Sequence, residues 1–583
     1  MAGSIERVAV IGSGVMGAGI AAHCANAGCE VLLLDIVPKG SEDRSALARD
    51  AIQKMHKSNP EMLMHKRNAK RITPGNIEDD LEKLKDFDWV VEVIIENLDI
   101  KRTLYSNISK HIGPNTILSS NTSTLPRSEL VSELPEDIAS RFLITHFFNP
   151  PRYLPLLEVV TAPEVDEATV ERFCTFADLD LGKRVTMCND RPGFIGNRLG
   201  VYFIQRAFKA TLDHDLSIEQ ADAMLGRPIG LPKTAVFALM DLVGIDLIPH
   251  VTGSLLSHLP DDDPFHEIAG TGEGIVMSMI DDGYTGRKGK GGFYRLNREG
   301  GKKVKEARNL STGEYHTANR RAAFPSAKMG KRGLAPLMDC DDDGARFVSD
   351  VLLDSLSYAA HIVPDVSDDI YSIDGAMKVG YNWKRGPFEM MDSIGASSMV
   401  ERLKATGRKV PSFLSLAAEK GSFYGIEGGE ITRLSPSGEM IVVERPDETL
   451  NVADLKRRGK PLKRNGSASI WDMGDDVLLV EYHTKMNAMD PMNMEMLLNA
   501  VDMAETEGLK GIVIGNDASN FCAGANLGLA LFAANLAAWK DLEDFIGLGQ
   551  DTYQTVKYSE IPVVAASAGM CLGGGAEGLM HCD

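Results

Sequence analysis

No stretch of this 583-residue chain is apolar for long enough to cross a bilayer as a helix. Cysteine chemistry is equally sparse: the eight cysteines, at 24, 29, 174, 188, 340, 522, 571 and 582, form no CxxC pair and no His/Cys cluster at metal-ligand spacing. They read as small core residues, and no metal is expected. Excess positive charge is missing too, because a net charge of −20 disfavours nucleic acid or an anionic membrane as the main partner. It leaves room for a local basic pocket that takes a phosphorylated ligand. Between Met1 and a first strand at Arg7 there is no room for a cleavable signal or a presequence, so a cytoplasmic location is expected. What the chain does have is length, enough for about three or four domains.

The first motif is strand, glycine turn, helix, strand, acid. Arg7 to Ile11 is a β-branched apolar run; Gly12-Ser13-Gly14-Val15-Met16-Gly17 follows, then an alanine-rich helix and a second strand closed by Asp35. Gly12 allows the tight turn, Gly14 admits a pyrophosphate to the backbone, and Gly17 lets helix and strand pack closely. Asp35 would accept hydrogen bonds from a ribose diol, and with no arginine directly after it NAD is favoured over NADP.

Further strands end in polar residues. Asp88 to Ile95 delivers Glu96, Asn97 and Lys101 to a carboxyl-end loop, and Thr116 to Ser120 leads into Asn121-Thr122-Ser123. His146 ends the next strand, in THFFNPPRYLPLLE, with Glu158 twelve residues later on the following apolar run. A carboxylate on one ring nitrogen fixes the tautomer and leaves the other as a general base for a hydroxyl proton. Ile195 to Ala210 then reads as a helix bearing Asn197, and Ser217 to Leu225 as another.

A helical unit recurs: Asp222 to Gly244 resembles Asp374 to Gly395. The position equivalent to Asn197 is Ser349, so the first copy reads as catalytic and the second as packing support. Between them the glycine-rich basic loop Gly283 to Tyr294 carries Lys288. Residues 301–343 read as a polar connector, and the basic run from Lys456 to Arg464 as a solvated linker rather than a nucleic-acid patch.

From Ser469 a new domain begins. Its strands Val477 to Tyr482, Gly511 to Gly515 and Pro562 to Ala566 flank a helix at Met492 to Glu505. The turns Phe521 to Leu527 and Cys571 to Glu577 can aim backbone amides at one oxygen, an oxyanion hole with Glu577 as acid or base beside it.

On the motifs GSGVMG, VVEVIIENLDIK, SNTS, HFFNP, LLEVV, DRPGFIGNR and GRKGKGGFY, residues 1 to about 400 resemble the L-3-hydroxyacyl-CoA dehydrogenases. On FCAGAN and CLGGGAE, residues from about 469 onward resemble the enoyl-CoA hydratase (crotonase) family. Dehydrogenase first and hydratase second is the order of bacterial bifunctional fatty-acid β-oxidation proteins. The resemblance implies His146 as base, Glu158 as its orienting partner, and Ser123 and Asn197 as holders of the substrate hydroxyl. It puts Glu96, Lys101, Ser123, Asn149 and Lys288 on NAD-contacting positions beside Asp35 and the Gly12–Gly17 turn, which includes Val15 and Met16. It further implies acyl-CoA thioester substrates, Ala525 and Gly574 as oxyanion-hole amides, and Glu577 as the first of two catalytic glutamates; a thiolase enters as the partner of the scaffold reading below. Asn526 stands where that family has Asp.

The expected fold is α/β: a Rossmann-like NAD-binding domain at 1–189, a helical dehydrogenase C-terminal domain at 190–297 and a connector at 298–343. A second helical copy at 344–410, a linker at 411–468 and the N-terminal half of a crotonase fold at 469–583 follow. With the second glutamate expected beyond Asp583, enoyl-CoA hydration is not expected of this chain, and an exposed apolar surface with poor order or self-association is expected from about residue 530. The two helical copies suggest an intramolecular pseudo-dimer. Two other readings stay open: a dehydrogenase of another small 3-hydroxy acid, and an NAD-binding scaffold without catalysis.

Overall fold

Eight strands form the sheet on which the first half of the molecule is built: β1 (Arg7–Ile11), β2 (Glu30–Asp35), β3 (Ile72–Asn76), β4 (Trp89–Glu92), β5 (Ile117–Ser120), β6 (Phe142–Phe147), β7 (Leu156–Val160) and β8 (Arg184–Cys188). Their order is β3-β2-β1-β4-β5-β6-β7-β8. The computed structural model describes residues 4–298, 303–319, 321–445 and 449–583. The parts of the expected connector and linker at 299–302, 320 and 446–448 lie outside them. Two compact units result, one running to Tyr424 and including Arg433–Ile441, the other Gly425–Thr432 with Val442–Asp583.

Neighbouring strands run parallel except β6 and β7. Strand order reverses between β1 and β4, which opens the crevice where ligands of such sheets sit. The antiparallel β6–β7 pair sets His146 directly opposite Glu158. β-branched and leucine runs fill these strands because both faces are buried.

The helical part of the first unit follows the sheet. Helix Gly196–Asp213 starts just before Asn197, and helix Ile218–Leu225 is capped by Ser217 and Gln220 in a reciprocal box. The repeat is present down to its hydrogen bonds. Asp222 accepts from the amides of Val236, Phe237 and Ala238 and from the Tyr294 hydroxyl; Asp374 accepts from Phe388, Glu389 and the Tyr424 hydroxyl. Asp241 binds the amides of Phe293 and Tyr294, and Asp392 those of Phe423 and Tyr424. The second copy's contacts therefore reach Tyr424, beyond the expected end at 410. The Ser422-Phe423-Tyr424 turn plays the part that GGFY plays in the first copy, a match too short to register in sequence.

The two copies face each other through helices Gly196–Asp213 and Asp343–His361. Tyr202 stacks on Tyr358 at 3.8 Å, and Arg206 pairs with Asp354. Tyr202 and Asp354 are equivalent positions in the repeat, as are Arg206 and Tyr358, so the pairing is the crosswise one that a two-fold relation produces.

Two stretches expected to be loose are structured. Within the connector, Val304–Arg308 and Tyr315–Thr317 extend Tyr294–Asn297 into a three-stranded antiparallel sheet. Arg295 over Tyr315 and Lys305 over Tyr294 hold it, at 3.9 and 3.7 Å from the ring centres, contacts that its polar composition conceals. Within the linker, Val452–Arg458 is a helix whose charges are partnered: Lys456 with Glu481, Arg457 with Asp454 and Arg458 with Glu430. Its cations are structural.

The second unit contains a five-stranded sheet in which Val477–Tyr482 runs parallel to Gly511–Ile514, and that strand parallel to Val563–Ala565. Helix Pro491–Glu507 covers it. Helix Leu527–Asn535 buries none of its residues, and Leu531, Phe532 and Trp539 are each about two-thirds exposed. The expected apolar surface is there.

Candidate active site

The glycine turn meets the demands of a dinucleotide. Gly12 has φ +108°, and a β-carbon on Gly17 would lie 1.8 Å from the Gly12 carbonyl oxygen, so helix Val15–Asn26 touches β1 backbone to backbone. A β-carbon on Gly14 would meet nothing within 4 Å. That is the open approach a diphosphate needs. Asp35 accepts from the Ser13 amide at 2.6 Å and the Ser13 hydroxyl at 2.5 Å, which sets the acid of β2 against the turn. Val15 of the turn stands exposed, as do Ile36 and Ile95 beyond β2 and β4.

At the end of β4 lies a buried group absent from the sequence reading. Glu92, fully buried, accepts from Lys101 Nζ at 2.7 Å, Tyr105 at 2.5 Å, Ser120 Oγ at 2.7 Å and the Ile94 amide. Burial, and after it Glu92, pushes the Tyr105 hydroxyl far above its usual range. Lys101, which resemblance puts on a cofactor-contacting position, is 1% exposed and paired with Glu92. It lies 3.4 Å from Glu96. Burial works against the charge on Glu96, but Lys101, Thr122 and the Ser123 amide outweigh it and hold its carboxyl below the usual range. Glu96 in turn accepts from the Ser123 and Thr124 amides, so this ion-pair chain fixes the turn that presents Ser123. Asn97 is a helix cap, bonded to the Ile100 amide.

His146 and Glu158 meet as expected. Nδ1 lies 2.7 Å from Glu158 Oε2, and the second oxygen accepts from the Ile195 and Gly196 amides at 3.1 and 2.7 Å. One carboxylate thus joins β7, the histidine of β6 and the N-terminus of helix Gly196–Asp213, whose dipole favours its charge. His146 is 6% exposed and Glu158 fully buried; Phe148 and Phe194 flank the imidazole. Among the described residues Nε2 has no protein partner. Asn197 Nδ2 reaches the Ser123 carbonyl at 3.4 Å, and Asn121 accepts from the Phe147 amide at 2.9 Å. Ser123, His146, Glu158 and Asn197 are therefore gathered. Asn149 is exposed on the loop after β6. Lys288 pairs with Asp246 at 2.7 Å in its own helical copy. No contact among the described residues joins it to the crevice.

In the second unit, the Ala525 and Gly574 amides donate to no backbone or side-chain acceptor among the described residues. A β-carbon on Gly574 would lie 3.6 Å from the Ala525 nitrogen, so the two amides are neighbours. Tyr553 donates to the Gly574 carbonyl at 2.6 Å and steadies that turn. Glu577 follows one turn into helix Gly574–Leu579, exposed, its carboxylate without a protein partner among the described residues. No group of side chains among the described residues stands ready to hold a metal, and no single helix there is long and apolar enough to cross a membrane.

Comparison with known proteins agrees with this geometry. Residues 7–191 match the NAD-binding domain of 3-hydroxyacyl-CoA dehydrogenase, 193–296 its C-terminal domain, and 475–583 the enoyl-CoA hydratase/isomerase family. A probable 3-hydroxyacyl-CoA dehydrogenase of Bacillus subtilis is 37% identical over 98% of this chain and 74% of its own length. A putative fatty acid oxidation complex trifunctional enzyme of Rickettsia felis is 35% identical over 100% of this chain and 77% of its own. In fold, 72% of the chain superposes on 99% of a 3-hydroxybutyryl-CoA dehydrogenase from Escherichia coli, with a TM-score of 0.54 at 23% identity. With its glycine turn, its dyad and its pair of unpaired amides each inside the matching segment, the chain belongs to the 3-hydroxyacyl-CoA dehydrogenase family and carries an enoyl-CoA hydratase/isomerase domain behind it.

Proposed function

We propose that the chain oxidises L-3-hydroxyacyl-CoA to 3-ketoacyl-CoA in fatty-acid β-oxidation, with His146 as the base. The observation that carries this reading is the division of Glu158 between His146 Nδ1 and the Ile195 and Gly196 amides. With Nδ1–H donated to the carboxylate, Nε2 is left to take the 3-hydroxyl proton. Glu158 then stabilises the imidazolium without being protonated itself. Asn197 and Ser123, joined through the Ser123 carbonyl, would hold the hydroxyl oxygen. Gly12, Gly14, Val15, Met16, Gly17 and Asp35 would hold NAD, which would supply the acceptor for the hydride from C3. Glu96 and Asn149 are its further contacts, while Lys101 acts through Glu96 and Lys288 must leave Asp246 to take part.

In the second unit, Ala525 and Gly574 would hold a thioester oxygen as charge develops on it. Glu577, exposed one turn into helix Gly574–Leu579, would serve there as acid or base. The 3-keto thioester is what a thiolase cleaves, and co-purification with a thiolase tests that partnership.

The deciding experiment follows NADH formation from L-3-hydroxyacyl-CoA and, separately, loss of enoyl absorbance from a 2-enoyl-CoA. His146→Ala is expected to lower NADH formation by roughly a hundred- to ten-thousand-fold and leave any hydration unchanged. Oxidation that survives His146→Ala would remove the dyad from the mechanism. A preference for free 3-hydroxy acids over thioesters would move the substrate class.

A further inference from the structure

The loop that follows the catalytic histidine is tied down by a group with no place in the chemistry above. Lys183, which precedes β8, is 2% exposed. Its Nζ donates to the carbonyl of Pro151 and, at 2.8 Å, to that of Leu154. It also sits 5.5 Å from the ring centre of Phe147, the residue after His146. No carboxylate among the described residues pairs with it. An ammonium buried this deeply without an anion is costly, and it is held by backbone carbonyls and a ring face alone.

Those contacts converge on one object. Pro151 lies against helix Val15–Asn26, where a β-carbon on Gly19 would come within 2.9 Å of Pro151 Cδ. Pro150 accepts from the Tyr153 and Leu154 amides, closing the loop on itself. Arg152 and Tyr153 anchor its outer side to the Glu61 carbonyl. The loop is therefore fixed between the helix that follows the glycine turn and Lys183, with Asn149 at its exposed end.

We infer that Lys183 is the positioning residue of this loop: by bonding the carbonyls of Pro151 and Leu154 it holds Asn149 in register with the glycine turn and so sets the affinity for NAD. The inference rests on the dehydrogenase reading for Asn149 and deepens it. Lys183 is not a catalytic residue, since it acts through the loop.

Burial lowers the Lys183 ammonium to about 8. The titratable groups facing it are His23 and Cys24 of helix Val15–Asn26, with Arg152 of the loop beyond His23. His23 is lowered to about 4, by burial first and then by Lys183, and burial drives the Cys24 thiol upward. Neither neighbour changes charge near pH 8, so the ammonium is nearly complete at about pH 7, half lost at about pH 8 and mostly lost by about pH 9.

The test is direct titration of NAD into the full chain from pH 6.5 to 9.5, read by protein fluorescence without turnover. The wild type should bind with near-constant affinity up to about pH 7 and several-fold more weakly by about pH 9. Lys183→Arg, which keeps a charge that does not titrate there, should flatten that profile. Lys183→Met should bind weakly throughout, while kcat at saturating NAD stays within about threefold of wild type, because His146 and Glu158 are untouched. Wild-type affinity in Lys183→Met, or the same alkaline loss in Lys183→Arg, would overturn the inference. Should Lys183→Met not fold, the comparison of wild type with Lys183→Arg decides it. Failure of the dehydrogenase reading would show differently, as NAD binding that follows the predicted profiles without oxidation of any 3-hydroxyacyl-CoA.

Discussion

Glu158 has two oxygens and three donors: one oxygen takes the His146 ring, the other the two amides that open helix Gly196–Asp213. Glu158→Gln keeps the shape but presents an amide N–H2 either to His146 Nδ1–H or to the Ile195 and Gly196 amides, so one contact becomes donor against donor. We expect kcat to fall by about a hundredfold or more, with the KM for NAD unchanged, and a stability loss of about 1–3 kcal/mol from the stranded donor. Steady-state kinetics and urea midpoints read the two effects separately. The glycine turn offers a second contrast. Gly17→Ala puts a β-carbon 1.8 Å from the Gly12 carbonyl and must force helix and strand apart, whereas Gly14→Ala meets open space. Gly17→Ala should therefore lower the melting temperature and abolish NAD binding, and Gly14→Ala should lose NAD affinity with an unchanged melt. Equal melts would mean the helix–strand approach is less tight than this geometry implies.

Motifs carried by a fixed order of strand, turn and helix were legible in the sequence. Asp35 meets the glycine turn, His146 meets Glu158 and Asn197 meets Ser123, contacts that follow from the order of strand, turn and helix. Buried polar support was not. Glu92 sits inside a run of valines and a tryptophan, and only its partners from Lys101, Tyr105 and Ser120 explain it. Lys101, in the first turn of helix Leu98–Ile108, shows the same limit: its ion pairs with Glu92 and Glu96 have no signal in the spacing of the sequence. The second helical copy was visible through Asp374 and Asp392, but its reach to Tyr424 depends on hydrogen bonds across some thirty residues of sequence. The interface between the copies tests their two-fold relation. Asp354 binds both Arg206 and Arg408, so Asp354→Ala leaves two guanidinium groups short of a partner. Removing one member of a buried pair costs about 3–5 kcal/mol, and the 22% exposure of the Asp354 side chain argues for the lower end. Adding Arg206→Ala should recover part of that loss. An additive double variant would show that the pair is not coupled.

At the scale of the molecule the second unit differs from the first in how it treats apolar surface. Leu527, Leu531, Phe532, Leu536 and Trp539 are between 64 and 76% exposed, and they follow one another along a single helix and the turn after it. Isolated exposed leucines are ordinary, but contiguous apolar patches beyond a few hundred Å² are rare on monomers and drive association. Net charge opposes it, since a chain at −20 repels its copies, and that repulsion is screened within about 8 Å at physiological salt while apolar attraction is not. Association should therefore strengthen with added salt. In sedimentation velocity the wild-type chain should show a weight-average coefficient that rises with protein concentration and rises further as salt is added. Leu531→Glu combined with Phe532→Glu should abolish both trends. The same double variant should form NADH at the wild-type rate, because Ser123, His146, Glu158 and Asn197 all lie in the first unit. If it associates as the wild type does, this helix is not the adhesive surface; if it also loses oxidation, the second unit supports the first in a way its separate core does not reveal.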